Sequence, residues 1–183
     1  MECFVPFTVG GGIRTLEDVR TLLSVGADKI VINTAAFDSP QLISQIAERF
    51  GSQCIVLSID AKRHSNGDYE CYRYSGKEKT GKGVLDWAKE MENAGAGEIL
   101  LTSIDNDGTM NGYDLELIKM VTQELSIPVI ASGGAGNYQD LADAVLLGGA
   151  EAIAAASIFH FTEQTPQAAK LYLKEKGVSV RFS

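Results

Sequence analysis

The sequence predicts a parallel α/β fold, and two observations support that prediction. Short apolar runs typical of strands recur along the 183 residues, and amphipathic stretches typical of helices lie between most of them. The strand-like runs do not alternate apolar and polar residues, as is expected of parallel strands that are covered on both faces. A duplicated glycine motif, described below, then favours a barrel over an open sheet.

Six strand-like runs follow one another along the chain: CFVPFTV, KIVIN, QCIVLSID, EILLTSID, IPVIAS and EAIAAAS. The first helix is expected in TLEDVRTLLSVG, with Thr15 as N-cap and Gly26 as its stop. The second is expected in SPQLISQIAERFG, with Ser39 as cap, Pro40 at the first helical position and Gly51 at the end. Four more helical stretches complete the series: GVLDWAKEMENAG, YDLELIKMVTQEL, YQDLADAVLLGG and QTPQAAKLYLKEKG.

One segment interrupts the alternation of strands and helices. NGDYECYRYSGKEKTGKG alternates like a small hairpin and comes directly after the strand that ends at Asp60. No linker or low-complexity segment separates the units, so residues 1–183 are predicted to form a single domain of six βα units with one excursion.

The glycine motif occurs twice, about 122 residues apart. VGGGIRTLEDV from Val9 aligns with ASGGAGNYQDL from Ala131, and GADKIVINTAAF aligns with GAEAIAAASIF one unit later. A repeat two βα units long, displaced by about four units, is typical of an eightfold (β/α)8 barrel built from two halves. The six strands then fit places three to eight, and we expect the first two βα units to be missing from this chain. Such a partial barrel has open strand edges, which favour association with another copy or a partner.

The duplicated glycines indicate two related binding sites. Each pair follows the carboxyl end of a predicted strand, where adjacent glycines let backbone N–H groups approach a phosphate. Asn33-Thr34 and Ala156-Ser157 end the neighbouring strands beside them. The alternative is that the glycines only allow tight turns. Two copies favour a ligand that carries a phosphate at each end.

Two acids are candidates for proton transfer, because Asp60 and Asp105 both follow Ser-Ile at the end of an apolar strand. A carboxylate there faces the mouth of the barrel, where partial burial raises its pKa toward general acid/base use. The alternative is a structural acid that caps the next loop or pairs with Lys62 or Arg63. Asp107-Gly108 is interpreted as a turn whose N–H groups could also face an anion.

Composition narrows the classes of function. The formal charge of −8 argues against a nucleic-acid surface, and no run offers about 20 uninterrupted apolar residues for a membrane span. Three widely spaced cysteines, Cys3, Cys54 and Cys71, suit a reducing cytoplasm. His64 and His160 have no metal-ligand spacing, so neither a metal nor a cofactor is expected.

Several strings together resemble one family along essentially the whole chain. They are TVGGGIRTLEDV, GADKIVINTAA, SIDAKR, GAGEILLTSID, IPVIASGGAG and AASIFHF. They are similar to the cyclase subunits of imidazole glycerol phosphate synthase, the HisF family. The resemblance implies a TIM barrel of the ribulose-phosphate-binding type, and a lyase that works in histidine biosynthesis. Ammonia from a glutaminase (HisH-like) partner reacts there with a bis-phosphorylated formimino carboxamide ribotide. The products are imidazole glycerol phosphate and an aminoimidazole carboxamide ribotide.

The resemblance also assigns roles to individual positions. Asp60 matches one of two catalytic aspartates. The substrate and phosphate positions are Gly12, Asn33, Thr34, Ser75, Gly76, Asp107, Gly108, Ser132, Gly134, Ala156 and Ser157. Lys29 and Glu98 match an ammonia gate, and Asp28 matches a residue that faces the glutaminase.

The resemblance places the other catalytic aspartate before Met1, so the chain alone is expected to hold half of the acid/base pair. Two other functions remain open: a paralogue that delivers ammonia for amidation of a surface sugar, and a non-catalytic half-barrel that binds phosphate or a partner.

Overall fold

The computed structural model describes residues 5–181 and contains eight strands. The strands are β1 (Thr8–Gly10), β2 (Lys29–Ile32), β3 (Ile55–Arg63), β4 (Tyr69–Arg73), β5 (Glu78–Gly83), β6 (Glu98–Ser103), β7 (Val129–Ser132) and β8 (Ala152–Ala154). The helices are α1 (Leu16–Ser24), α2 (Thr34–Asp38), α3 (Gln41–Phe50), α4 (Val84–Ala94), α5 (Leu115–Thr122), α6 (Tyr138–Leu146), α7 (Ser157–His160) and α8 (Pro166–Glu175). A single 3-10 turn (Ser52–Cys54) precedes β3.

Six of the strands form one parallel sheet in the order β1-β2-β3-β6-β7-β8. The remaining two, β4 and β5, form an antiparallel hairpin on the extended end of β3, as the sequence predicts. Successive long helices pack next to one another in chain order: α1, α3, α4, α5, α6 and α8. This parallel α/β arrangement is consistent with part of a TIM-type barrel. That the six strands are the third to eighth of such a barrel stays a prediction.

The duplication inferred from the sequence has a counterpart in the backbone. Asp18 closes a capping box with Thr15 at the start of α1, and Asp140 closes one with Asn137 at the start of α6. Each carboxylate also accepts the N–H four residues earlier, from Arg14 at 3.0 Å and from Gly136 at 2.9 Å. The same residue type therefore performs the same capping role in both copies.

The second predicted helix differs from the structure. A short helix, α2, occupies Thr34–Asp38, and α3 begins at Gln41 with Pro40 rather than Ser39 at its N-cap position. No side chain caps α3, and Ser39 instead ends α2. Since Pro40 has helical φ and ψ of −56° and −32°, the proline does mark the start of the helix.

Among the strands of residues 5–181, β3 alone is buried on both faces, over its first five residues. In β6 and β7 buried residues alternate with half-buried ones. The prediction that every strand is covered on both faces is therefore wrong for these strands. Leu100 and Ile130 lie on their half-covered face.

The single tryptophan, Trp87 of α4, contacts both α2 and the β4–β5 hairpin. The fully buried Trp87 ring of α4 stacks on Phe37 of α2, with ring centroids 4.3 Å apart and planes 16° apart. The ammonium of Lys82 in β5 lies 4.2 Å from the centroid of the same indole. This stack joins α2 to the hairpin.

The cysteines that the structure describes, Cys54 and Cys71, are buried free thiols. Burial raises the pKa of Cys71 to about 12. Cys3, with the start of the first strand-like run, lies outside the described residues. Between residues 5 and 181, the model contains no helix with the length and apolarity that a membrane crossing requires.

Candidate functional site

Most of the predicted site residues line two cavities at the carboxyl ends of the parallel strands. The first cavity has a volume of about 900 Å³, and it is lined by Gly12, Asn33, Thr34, Asp60, Ser75, Gly76 and Asp107 from the predicted set. The second has a volume of about 170 Å³ and is lined by Asp107, Gly108, Ser132, Gly134, Ala156 and Ser157. Asp107 lines both, so the two cavities are neighbours.

The two cavities are built by the two copies of the repeat. Gly11 and Gly12 follow β1 with φ of 100° and 72°, and Gly133 and Gly134 follow β7 with φ of 89° and 114°. At the next strand, Asn33 precedes α2 with φ, ψ of −124°, −91°, while Ala156 precedes α7 with −127°, −61°. The hydroxyl residues Thr34 and Ser157 are thus the first residues of corresponding short helices.

The glycine pairs differ in what surrounds them. A Cβ on Gly12 would meet no atom within 4 Å, so only its left-handed backbone requires glycine. A Cβ on Gly134 would lie 2.1 Å from the carbonyl oxygen of Gly112. Gly112 also donates its N–H to the Gly134 carbonyl at 2.8 Å. Close backbone packing therefore requires glycine at position 134, whereas the space beside Gly12 is open.

Asp60 lies within β3, in register with Tyr72 of β4 and Thr102 of β6, and lines the first cavity. Burial raises the pKa of the Asp60 carboxyl, hydrogen bonding from Asn33 and Ser58 opposes that rise, and the nearby Asp107 charge adds to it. A carboxyl that is half-buried in a cavity, with a raised pKa, has the properties of a general acid or base.

Asn33 has an unpaired acceptor beside this acid. Its Oδ1 atom is buried and has no hydrogen-bond partner among the described residues. Because Asn33 lines the first cavity, a ligand hydroxyl or amine could satisfy that oxygen.

The hairpin tip closes one side of the first cavity. Tyr74, Ser75 and Gly76 are three successive residues with positive φ, at 53°, 57° and 75°. The N–H of Tyr74 donates to the Thr34 hydroxyl at 3.1 Å, which ties the tip to the start of α2.

Arg73, the last residue of β4, connects this tip to α2 and β5. Its guanidinium donates to Asp38 at the end of α2, at 2.9 Å, and to Glu78 of β5, also at 2.9 Å. Strained left-handed residues persist only where surrounding contacts fix them, and these contacts provide that support.

Three predicted residues lie at the amino ends of the strands, away from the cavities. Lys29 begins β2 and Glu98 begins β6, and their side chains form a half-buried ion pair across β3. Asp28 accepts the N–H of Phe7 at 2.7 Å, as its repeat counterpart Glu151 accepts that of Val129 at 2.9 Å. Asp28 thus has a structural role in strand pairing, and its contact with a partner stays a prediction.

Asp105 is not part of the site. It is exposed, lines neither cavity, and accepts the backbone N–H of Arg63 at 3.0 Å. The expectation that it faces the barrel mouth is therefore wrong. Its carboxylate caps the turn after β3, which is the structural alternative.

Sequence reasoning missed some cavity residues, of which Arg14 and Thr102 are the most relevant. Both line the first cavity. Thr102 stands beside Asp60 on the neighbouring strand, a register that only the sheet reveals. Arg14 could have been found, because it lies two residues after the first glycine pair and is replaced by Gly136 in the second copy.

Comparison with known proteins gives two agreeing results. A family model described as "Histidine biosynthesis protein" matches residues 1–165. Two curated relatives are each 55% identical over 182 residues, which is 99% of this chain and 71% of the relative. Both carry the name "Imidazole glycerol phosphate synthase subunit HisF". They come from two strains of Leptospira biflexa serovar Patoc, Patoc 1 / Ames and Patoc 1 / ATCC 23582 / Paris.

Proposed function

The chain belongs to the HisF family of histidine biosynthesis proteins, and from that membership we propose that it carries out the cyclase reaction of imidazole glycerol phosphate synthase. In this proposal a bis-phosphorylated formimino carboxamide ribotide spans the two cavities. Ammonia from a glutaminase subunit reacts with it to give imidazole glycerol phosphate and an aminoimidazole carboxamide ribotide. The reaction belongs to the carbon–nitrogen lyases.

The proposal is supported most strongly by the two related cavities at the same end of the sheet. Asp107 lines both cavities, and Asp60 lines the larger, first cavity. Each cavity offers a hydroxyl, from Thr34 or Ser157, together with glycine N–H groups. Neutral donors of this kind suit a phosphate. The names of the relatives favour the histidine pathway over sugar amidation, and a cavity-lining acid with a raised pKa favours catalysis over binding alone.

Asp60 is the proposed general acid/base. Ring closure by ammonia requires protons to move between the attacking nitrogen and the oxygen and nitrogen groups that leave. A carboxyl whose pKa burial raises holds a proton more readily than an exposed carboxyl, which suits it to proton transfer. The Lys29–Glu98 ion pair at the opposite end of the sheet is the proposed ammonia gate.

The test is ammonia-dependent consumption of the bis-phosphorylated substrate by this chain joined to the amino-terminal strands of a HisF relative. Asp60→Asn should lower turnover by roughly 10²–10⁴-fold, while substrate binding, measured by calorimetry, stays within about threefold. Asp86→Asn, on the exposed surface of α4, is the matched control and should leave both values unchanged. Near-normal turnover of Asp60→Asn would remove Asp60 from the mechanism.

A further inference from the structure

The two cavities are related by duplication, yet their charges differ. Among the described residues that line either cavity, the only lysine or arginine is Arg14, in the first. Three carboxylates, from Asp38, Asp60 and Asp107, line that cavity, whereas among the described residues only that of Asp107 lines the second. A dianion that enters it meets repulsion unless a cation lies nearby.

Arg14 is positioned and available to supply that cation. Its backbone N–H is fixed by the Asp18 carboxylate at 3.0 Å, one residue before the N-cap of α1. Its side chain is exposed, and among residues 5–181 no carboxylate lies within ion-pair distance of its guanidinium. Asp38 differs, because its carboxylate is already paired with Arg73.

The second copy excludes such a cation. Gly136 takes the place of Arg14, as the matching hydrogen bond to Asp140 shows. A Cβ on Gly136 would lie 2.0 Å from the carbonyl oxygen of Met110 and 2.8 Å from its carbonyl carbon. Backbone atoms cannot yield as a flexible side chain can, so no longer residue fits at this position.

We propose that Arg14 is the counter-ion for a phosphate in the first cavity, and that the second cavity binds its phosphate with neutral donors alone. The inference rests on the proposed function, because it assumes that both cavities take phosphate groups. The two phosphates of a bis-phosphorylated ligand then bind differently. The phosphate in the first cavity makes a charge-assisted contact with Arg14, and salt weakens that contact. The phosphate in the second cavity binds to hydroxyl and N–H groups, whose contacts depend little on salt.

Calorimetric titration with inorganic phosphate at about 20 mM and about 200 mM sodium chloride tests the proposal, and it uses this chain joined to the amino-terminal strands of a HisF relative, as above. The unaltered chain should show a tighter, salt-sensitive site and a weaker, salt-insensitive one. Arg14→Gln should weaken the first by about tenfold at low salt and abolish its salt sensitivity, while Arg14→Lys largely restores both. Ser157→Ala should weaken only the second site. Arg49→Gln, which removes an exposed arginine that lines neither cavity, is the control for net charge.

The outcomes separate the two proposals. If the salt-sensitive site persists unchanged in Arg14→Gln, or if both sites weaken equally, the assignment of Arg14 is wrong while phosphate binding stands. If the unaltered chain binds no phosphate at either site, the proposed function fails, and the assignment of Arg14 fails with it. Circular dichroism of each variant confirms that the fold is retained.

Discussion

At the scale of single residues, the carboxyl of Asp60 combines a proposed catalytic role with a cost to the fold. Burial raises the pKa of this carboxyl above its ordinary value, so the folded chain holds the proton more tightly than the unfolded chain does. The stability that Asp60 contributes is therefore present below the ordinary pKa and is lost as the pH rises through the raised one.

We therefore expect Asp60→Asn to have a higher Tm than the unaltered chain at pH about 7, and this gain to shrink at pH about 3.5. Asparagine resembles the protonated carboxyl in shape and carries no charge, so it removes the desolvation cost. Thermal denaturation followed by circular dichroism at both pH values measures the difference. A variant less stable than the unaltered chain at pH about 7 would show that favourable contacts of the carboxylate outweigh its burial.

The two glycine pairs provide a second comparison between single residues. Gly134→Ala places a Cβ against the Gly112 backbone in addition to its left-handed φ, and should lower the free energy of unfolding by about 2–4 kcal/mol. Gly12→Ala should lower the free energy of unfolding by only about 1–2 kcal/mol, the cost of its left-handed backbone, because its Cβ would enter open space. Chemical denaturation measures both. Equal losses in the two variants would mean that the Gly112 contact is easily relieved.

At the scale of elements, the β4–β5 hairpin depends on contacts that its own sequence does not contain. Arg73 ties the tip to α2 through Asp38, and the Thr34 hydroxyl accepts the Tyr74 N–H. Without these contacts, the left-handed Tyr74 and Ser75 would relax toward more favourable conformations.

Arg73→Gln should therefore raise the hydrogen-exchange rate of the Tyr74 amide by about tenfold and leave the exchange of β3 unchanged. The matched control is Arg20→Gln, which breaks an exposed ion pair with Glu17 on α1 and should not affect the hairpin. Hydrogen exchange monitored by mass spectrometry or NMR measures the rates at Tyr74 and in β3. Unchanged protection at Tyr74 would show that Thr34 alone holds the tip.

The elements show how far sequence reasoning extends. The α1 capping box was predictable because Thr15 and the apolar spacing are local signals, and the hairpin followed from its alternating residues. The short helices α2 and α7 were not predicted, since four or five residues carry too little periodicity. Asp60 and Asp105 both follow Ser-Ile at a strand end, so that local pattern could not separate them, and their different tertiary contacts do.

At the scale of the whole molecule, the sheet has two open edges. Among residues 5–181, each of β1 and β8 has a single neighbouring strand, and both are largely exposed or half-buried. Phe7, just before β1, and Phe161, after α7, are 57% and 79% exposed. Unpaired backbone groups beside exposed apolar side chains favour pairing with another chain.

The purified chain is therefore expected to self-associate or to unfold without strong cooperativity. The physical reason is that a domain's net stability is only about 5–15 kcal/mol, and open edges forgo part of the apolar burial that supports it. Size-exclusion chromatography with light scattering, at two protein concentrations, checks the expectation. A monomer peak that does not depend on concentration, together with cooperative unfolding, would show that the edges are already protected.

The stack of Phe37, Trp87 and Lys82 has a practical consequence for studying this molecule. Phe37 belongs to the short helix that begins with Thr34, and Lys82 belongs to the hairpin whose tip lines the first cavity. The indole of Trp87, the single tryptophan of the chain, thus contacts two elements that wall the larger cavity. Its emission and near-ultraviolet dichroism form an intrinsic optical probe, through which movement of either wall can be followed without a label.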